Sequence, residues 1–304
     1  MTMDSRSRPI FVLGVPSTAM AVASAMIGAN PDVFGVPDLN IFAEDRLETA
    51  FSEMQRLGPA HADGLLRTVA LLYAGDQSIE ALQMAKRWVF RRYFWPSEMV
   101  FAELCARVAP RRLVDRSRVY GVRAAAVERI RAAYPEADFV YLVNHPLRAA
   151  ENPFARRPKR DDPPAVPGAA WAEGNAAILA SLEGVAPEHV ATVRLEDLAA
   201  TPETALAEAA ARLGLRADGA AVAAMMRPED GPFARPGPAG GAFGDDRAFL
   251  RDPVAAHRDF TAAMTAPLPD EAVTPDVAEL AARFGYTVRA EAPATPAAPA
   301  PADA

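Results

Sequence analysis

The chain has 304 residues, half of them hydrophobic, and a formal net charge of −7. That length allows one large α/β domain or two small ones with a sizeable core, and the acidic balance offers no global field to recruit nucleic acid. The single cysteine, Cys105, excludes an internal disulfide and any multi-cysteine zinc site, and the four histidines are scattered without ligand spacing, so no metal is expected.

Ile10 to Leu13 is a short apolar run of β-formers and predicts a buried strand. Gly14-Val15-Pro16-Ser17-Thr18 breaks it, since glycine allows unusual φ and proline fixes φ and removes a donor. Ala19 to Ala29 then predicts a small, apolar helix, stopped by Asn30-Pro31-Asp32. A strand, a tight turn and a helix N-terminus form an anion site, because the first helical N–H groups lack intrahelical partners. Two other readings stay open here: a buried βα unit with no ligand, and a signal peptide built on Arg6, Arg8, the apolar run and the small residues around Ala21 to Ala23. Gly14 to Thr18 interrupts that run early. No stretch reaches membrane-spanning length, so a cytoplasmic protein without membrane contact is expected.

Pro37-Asp38-Leu39-Asn40 follows, with Asp38 as an Asx turn or helix cap before a helix over Leu39 to Met54. Asp45 to Ala109 is helical in pattern, with apolar residues spaced by three and four and breaks at Gly58-Pro59, Gly75-Asp76 and Trp95-Pro96. Its aromatic residues Trp88, Phe90, Tyr93, Phe94 and Trp95 suit either a core or the lining of a lipophilic pocket. Arg111 to Asp115 predicts a second strand running into the polar loop Arg116-Ser117-Arg118, and Val122 to Tyr134 a helix. Ala137 to Val143 predicts a further buried strand, followed by Asn144-His145-Pro146-Leu147-Arg148 and, later, Asn152 and the basic run Arg156 to Arg160. Trp171 opens a helix, His189 to Leu198 predicts a strand with an acidic end, and Thr201-Pro202 starts a helix with proline in its first turn. Pro228 to Asp246 is rich in Gly and Pro and predicts a mobile loop or one that orders on binding. Pro275 to Phe284 is a last helix, and Ala290 to Ala304 an Ala/Pro tail without a packed structure. Strand–loop–helix units in this order predict a parallel α/β sheet flanked by helices.

This order of landmarks resembles the nucleotide sulfotransferases, and within them the bacterial branch that modifies small molecules, including members tied to polyketide assembly. The resemblance runs from about Ile10 to Tyr286 and rests on Gly14-Val15-Pro16, Pro37 to Asn40, Leu113-Val114-Asp115-Arg116, His145-Pro146, Arg194 to Leu198 and Phe284-Gly285-Tyr286. It implies a single sulfotransferase-like domain over residues 1–289, related to P-loop kinases, with a helical insertion at about 45–109 and a tail at 290–304. The implied donor is PAPS (3′-phosphoadenosine 5′-phosphosulfate), with the 5′-phosphosulfate held by the loop Pro16, Ser17, Thr18, Ala19, Met20 and Ala21 and no metal. The family's 3′-phosphate contacts fall at Asn144 and Asn152, with Arg148 as a nearby cation. Asp38 matches the family's carboxylate beside the acceptor and would be the base; Arg116 matches its loop lysine and would stabilise the transferring sulfuryl group. Phe249 to Pro253 with His257 resembles the family's C-terminal segment. The implied partner is a small-molecule acceptor with a hydroxyl or amine; the resemblance also leaves room for a homo-oligomer or a biosynthetic partner protein.

Two departures from the family pattern matter. The family places a basic residue where Ser17 stands, and an arginine where Asn144 stands. A protein of this family that binds or scaffolds without turnover is therefore the alternative expectation. A kinase-like NTPase is a poor one, because no Gly-rich loop ends in Lys-Ser/Thr.

Overall fold

Consecutive β-formers with no polar interruption need burial on both faces, which a parallel sheet between helical layers provides. A computed structural model describes residues 8–148, 166–239, 241–244 and 246–291, apart from the side chains of Thr18 and Pro59. In chain order, β1 (Ile10–Gly14) leads through α1 (Thr18–Gly28) to β2 (Val33–Val36), then to four helices, α2 (Leu47–Leu57), α3 (Asp63–Ala74), α4 (Ile79–Arg91) and α5 (Ser97–Val108). Next come β3 (Arg112–Asp115), α6 (Ala124–Ala133), β4 (Asp138–Val143), α7 (Ala169–Ser181), β5 (Val190–Arg194), α8 (Leu195–Ala200), α9 (Pro202–Arg212) and α10 (Gly219–Met225). The described part ends with α11 (Arg247–Arg251), α12 (Pro253–Thr265) and α13 (Pro275–Arg283).

All five strands are parallel, in the order β2-β3-β1-β4-β5. Alternate residues face opposite layers. Phe11, Leu13, Val36, Leu113, Phe139 and Tyr141 pack under the helices of residues 41–182. Ile10, Val12, Val33, Val114, Val140 and Leu142 pack under α1 and the helices of the last third. At the centre of the first layer, the Phe11 and Phe101 rings stack with centroids 5.2 Å apart.

Three segments differ from their sequence-based expectation. β2 was not anticipated; four residues containing a glycine carry too little pattern to read. The stretch His189 to Leu198, expected to be all strand, divides at Arg194, and Leu195–Ala200 is helical. Glu196 and Asp197 then sit in a first helical turn, where carboxylates favour the helix dipole. The helix expected from Leu39 starts only at Leu47. Asn40 takes a left-handed φ of 53°, a short 3-10 turn follows at Ile41–Ala43, and the Ser97 hydroxyl donates to the Ile41 and Glu44 carbonyls, holding this corner open.

Candidate active site

In a parallel sheet ligands gather at the carboxyl ends of the strands, at the point where the strand order reverses. Here that point is β1, with β3 on one side and β4 on the other. Its exit loop, Gly14 to Ser17, meets α1 end on. Ser17 is the cap: in extended backbone (φ −157°, ψ 162°), its Oγ accepts from the Met20 N–H at 3.3 Å. The hydroxyl therefore serves the helix. Pro16, Met20 and Ala21 are buried and Ala19 half-buried, so the loop offers backbone rather than side chains. The Thr18 side chain lies outside the described residues. Two glycines let neighbours close on this loop: a Cβ on Gly121 would stand 2.1 Å from the Gly14 carbonyl oxygen, and one on Gly174 would stand 2.7 Å from Val15.

The loops after β2 and β3 carry the charges. Asp38 is 2% exposed, and Arg118 Nε donates to its Oδ2 at 2.7 Å. Arg116 forms a close ion pair with Asp246, and Arg118 Nη1 lies 3.6 Å from the other oxygen of that carboxylate. The four side chains thus alternate in sign across three separate segments. Beneath them Asp115 is fully buried and accepts from the Ser117 N–H at 3.0 Å, the Ser117 hydroxyl at 2.6 Å and the Tyr120 hydroxyl at 2.7 Å. The Asn40 N–H donates to Ser117 Oγ at 2.8 Å, which ties the Asp38 loop to the Arg116 loop. Burial, with a smaller contribution from the Asp38 charge, pushes the Asp115 carboxyl up to about 6 against those hydrogen bonds.

Asp246 is delivered by the segment that begins at Pro228. Arg67, 1% exposed on α3, donates Nε to Gln77 at 2.7 Å, Nη1 to the Phe243 carbonyl at 3.2 Å, and Nη2 to the Arg235 carbonyl. The Gly244 N–H donates to Asp63 at 2.9 Å. The described parts of this segment, expected from the sequence to be a mobile loop or one that orders on binding, are thus tied to α3 by these hydrogen bonds.

On the β4 side, Asn144 is buried and its carbonyl accepts from the Trp171 indole N–H at 2.7 Å. The His145 N–H donates to Glu196 at 2.8 Å, and the Tyr286 hydroxyl donates to the other Glu196 oxygen at 2.8 Å. Burial holds the His145 imidazole below its ordinary range. Arg148 donates Nε to Glu196 at 3.2 Å, Nη2 to the Ala266 carbonyl at 2.9 Å and Nη1 to the Ala263 carbonyl. Its guanidinium thus closes the C-terminal end of α12. Asn152 and Arg156 to Arg160 lie outside the described residues. His257 is on α12, its carbonyl taken by Thr261.

The structure thus gathers the loop 16–21, Asp38 and Arg116 at one end of the sheet. Sequence reasoning missed Arg118, Asp246 and Asp115. Arg118 and Asp115 flank Arg116, and their charge in a polar loop was the available signal. Asp246 lies 130 residues away in sequence numbering from Arg116, and nothing local marks it.

A parallel α/β sheet with a helix N-terminus at its switch point, flanked by paired Asp and Arg side chains, is an architecture that many nucleotide-binding and group-transfer proteins share. The comparisons narrow this. A model of the sulfotransferase family matches residues 9–219, and the chain belongs to that family. Among solved structures it is similar to the sulfotransferase domain from the curacin biosynthetic pathway, with TM-score 0.71 and 20% identity, over 92% of this chain and 98% of that one. It is also similar to the sulfotransferase domain from the Synechococcus PCC 7002 olefin synthase, with TM-score 0.67 and 21% identity, over 92% and 95% of the two chains. No curated protein matches. Among the described residues no group of three or more His, Cys, Asp or Glu is placed to hold a metal ion, and no helix is long and apolar enough to cross a membrane.

Proposed function

We propose that the protein transfers a sulfuryl group from PAPS to a hydroxyl or amine of a small molecule. The observation that carries this reading is the chain of charges Asp38, Arg118, Asp246 and Arg116, with Asp38 and Arg116 on the loops that leave the carboxyl ends of β2 and β3, in a sulfotransferase-family sheet whose switch point feeds α1. The residues fit the 5′ end of the donor: α1 begins there with an apolar, side-chain-poor loop, and Arg116 is a largely buried guanidinium of the right sign. Bound there, PAPS would supply the activated sulfuryl group. The backbone N–H groups of Ser17, Thr18 and Ala19 at the start of α1 hold the anion, as at other helix N-termini, while the Met20 N–H stays on the Ser17 cap. Arg116 offsets charge on the transferring group and turns from Asp246 toward it. Asp38, oriented by Arg118, takes the proton of the acceptor. Asn144 offers the 3′-phosphate hydrogen bonds without charge.

A second reading, a family member that binds without turnover, is favoured by one feature. The guanidinium of Arg148 is spent on Glu196 and two carbonyls, so it does not replace the charge missing at Ser17 and Asn144. Sulfuryl transfer from labelled PAPS to a panel of hydroxyl and amine acceptors decides between them. Asp38→Asn is expected to lower the rate by about 10²–10⁴-fold with little change in donor affinity. Arg116→Ala is expected to lower the rate more than it weakens PAPS binding. Transfer indifferent to both substitutions removes these two roles. No transfer and no binding of PAP (3′-phosphoadenosine 5′-phosphate) at millimolar concentration favours the second reading.

A further inference from the structure

Of the five aromatic residues between Trp88 and Trp95, only Trp88 joins the core. Phe90, Phe94 and Trp95 are 62%, 68% and 37% exposed, and Met99, in the first turn of α5, is 50% exposed. Tyr93 links the two phenylalanines, its ring centroid lying 5.8 Å from that of Phe90 and 5.6 Å from that of Phe94. The turn after α4 holds these rings out. The Leu47 N–H donates to the Trp95 carbonyl at 3.0 Å, the Ser97 N–H donates to the Asp45 carbonyl at 2.9 Å, and the Arg46 guanidinium donates to the Phe94 carbonyl. Arg92 is paired with Glu103 and lies over the Trp88 and Trp95 rings at 4.1 and 5.2 Å. An exposed apolar patch on a pinned turn marks an interaction surface.

Charge sets the partner. From Ala81 to Ser97 the sequence has four cations and no carboxylate. Glu103 neutralises Arg92, whereas Lys86, Arg87 and Arg91 are exposed and have no carboxylate partner among the described residues. Lys86 and Arg87 stand one helical turn before Phe90, on the same face of α4. Glu48 and Glu53, which share a groove with Tyr93, are paired with Arg46 and Arg56. On a chain of net charge −7, this face attracts an anionic surface that the rest of the protein repels, which orients the docking. Rings that stand out this far need a matching pocket on a partner protein, whereas the interfacial layer of a bilayer takes them without one. We propose that the end of α4 and the turn after it dock on an anionic membrane surface: Phe90, Phe94 and Trp95 enter the interfacial layer, and Lys86, Arg87 and Arg91 pair with lipid phosphates. This contact is peripheral. The expectation of no membrane contact rested on the length of apolar runs, which bears on spanning alone. The docking stands whether or not sulfuryl transfer occurs.

Sedimentation of the full chain with vesicles tests it, comparing mixed phosphatidylglycerol and phosphatidylcholine with phosphatidylcholine alone. The chain is expected to bind the anionic vesicles, to bind the neutral ones about a hundredfold more weakly, and to be released by added salt. Lys86→Gln combined with Arg91→Gln should weaken binding by about twentyfold, at roughly fivefold per cation. Phe90→Ser combined with Phe94→Ser should weaken it by about tenfold or more. All four side chains are exposed, so both double variants should melt like the parent. Trp95 is the exposed one of the three tryptophans, Trp88 and Trp171 being buried, so its emission should move to shorter wavelength on binding. Trp95→Phe should still bind, without that shift. The proposal is overturned by no binding to anionic vesicles, by binding indifferent to both double variants, or by emission that does not change on binding. Binding to immobilised polyglutamate through the same cations, with none to vesicles, would assign the face to an acidic protein and overturn it as well.

Discussion

Replacing Asp246 with asparagine separates two effects of the same charge. The Arg116 and Asp246 side chains are only 11% and 8% exposed, so their pairing is largely desolvated. Removing one partner of such a pair leaves the other charge uncompensated, which costs 3–5 kcal/mol when burial is complete. Asparagine keeps an oxygen facing Arg116, and Arg118, at 3.6 Å, loses only part of its interactions because Asp38 remains. The expected loss of stability is therefore at the low end, about 3 kcal/mol. Anion binding should change in the opposite direction. In the parent protein an anion at Arg116 must displace the Asp246 carboxylate; in Asp246→Asn it displaces only a neutral amide oxygen. One charge-assisted contact is worth about 1.5–3 kcal/mol, so PAP should bind roughly ten- to a hundredfold more tightly. The assay is thermal unfolding with and without inorganic sulfate and PAP, followed by calorimetry with PAP. Asp246→Asn should melt lower than the parent in plain buffer, and sulfate should recover more of the loss than it adds to the parent. PAP affinity that falls, or stays the same, would refute the idea that Asp246 occupies the position of a ligand anion.

Asn144→Arg restores a charge where the family carries one, and calorimetry should show PAP binding tightened by about ten- to a hundredfold; no change would mean that residue 144 does not face a phosphate. Asp115 binds its proton more tightly in the folded chain, with a folded value of about 6 above the ordinary 3.8, so it contributes stability that is present at low pH and lost as pH rises from about 4 to about 6. Asp115→Asn should remove that descending limb from a plot of unfolding free energy against pH; an unaltered slope in this window would contradict the assignment. Gly121→Ala places a methyl 2.1 Å from the Gly14 carbonyl oxygen, backbone against backbone, and should destabilise the fold by about 1–3 kcal/mol in denaturant titrations while lowering PAP affinity through the displaced loop. An alanine variant with parent stability would show that these two loops are not in close contact.

Much of the fold is a local matter and was legible in the sequence. Uninterrupted β-formers at Ile10 to Leu13 and Phe139 to Val143 require burial on both faces, and glycine and proline at 14 and 16 end the first of them whatever surrounds it. The helix starting at Pro202 and the helical run after Asp45 follow from spacing and caps in the same way. The positions of Arg116 and Asn144 at the ends of predicted strands were likewise readable, whereas Asp38 was singled out only by the family resemblance, since the strand before it was not anticipated. What the tertiary structure alone decided is the partner of each charge. Arg116 is met by Asp246, Asp38 by Arg118, and Arg148 by the end of α12. A guanidinium at the end of a strand has the same local pattern whether it faces solvent, a ligand or a carboxylate brought by a distant loop. Which of these it meets depends on chain separations of 80 to 130 residues and on glycines that let loops close.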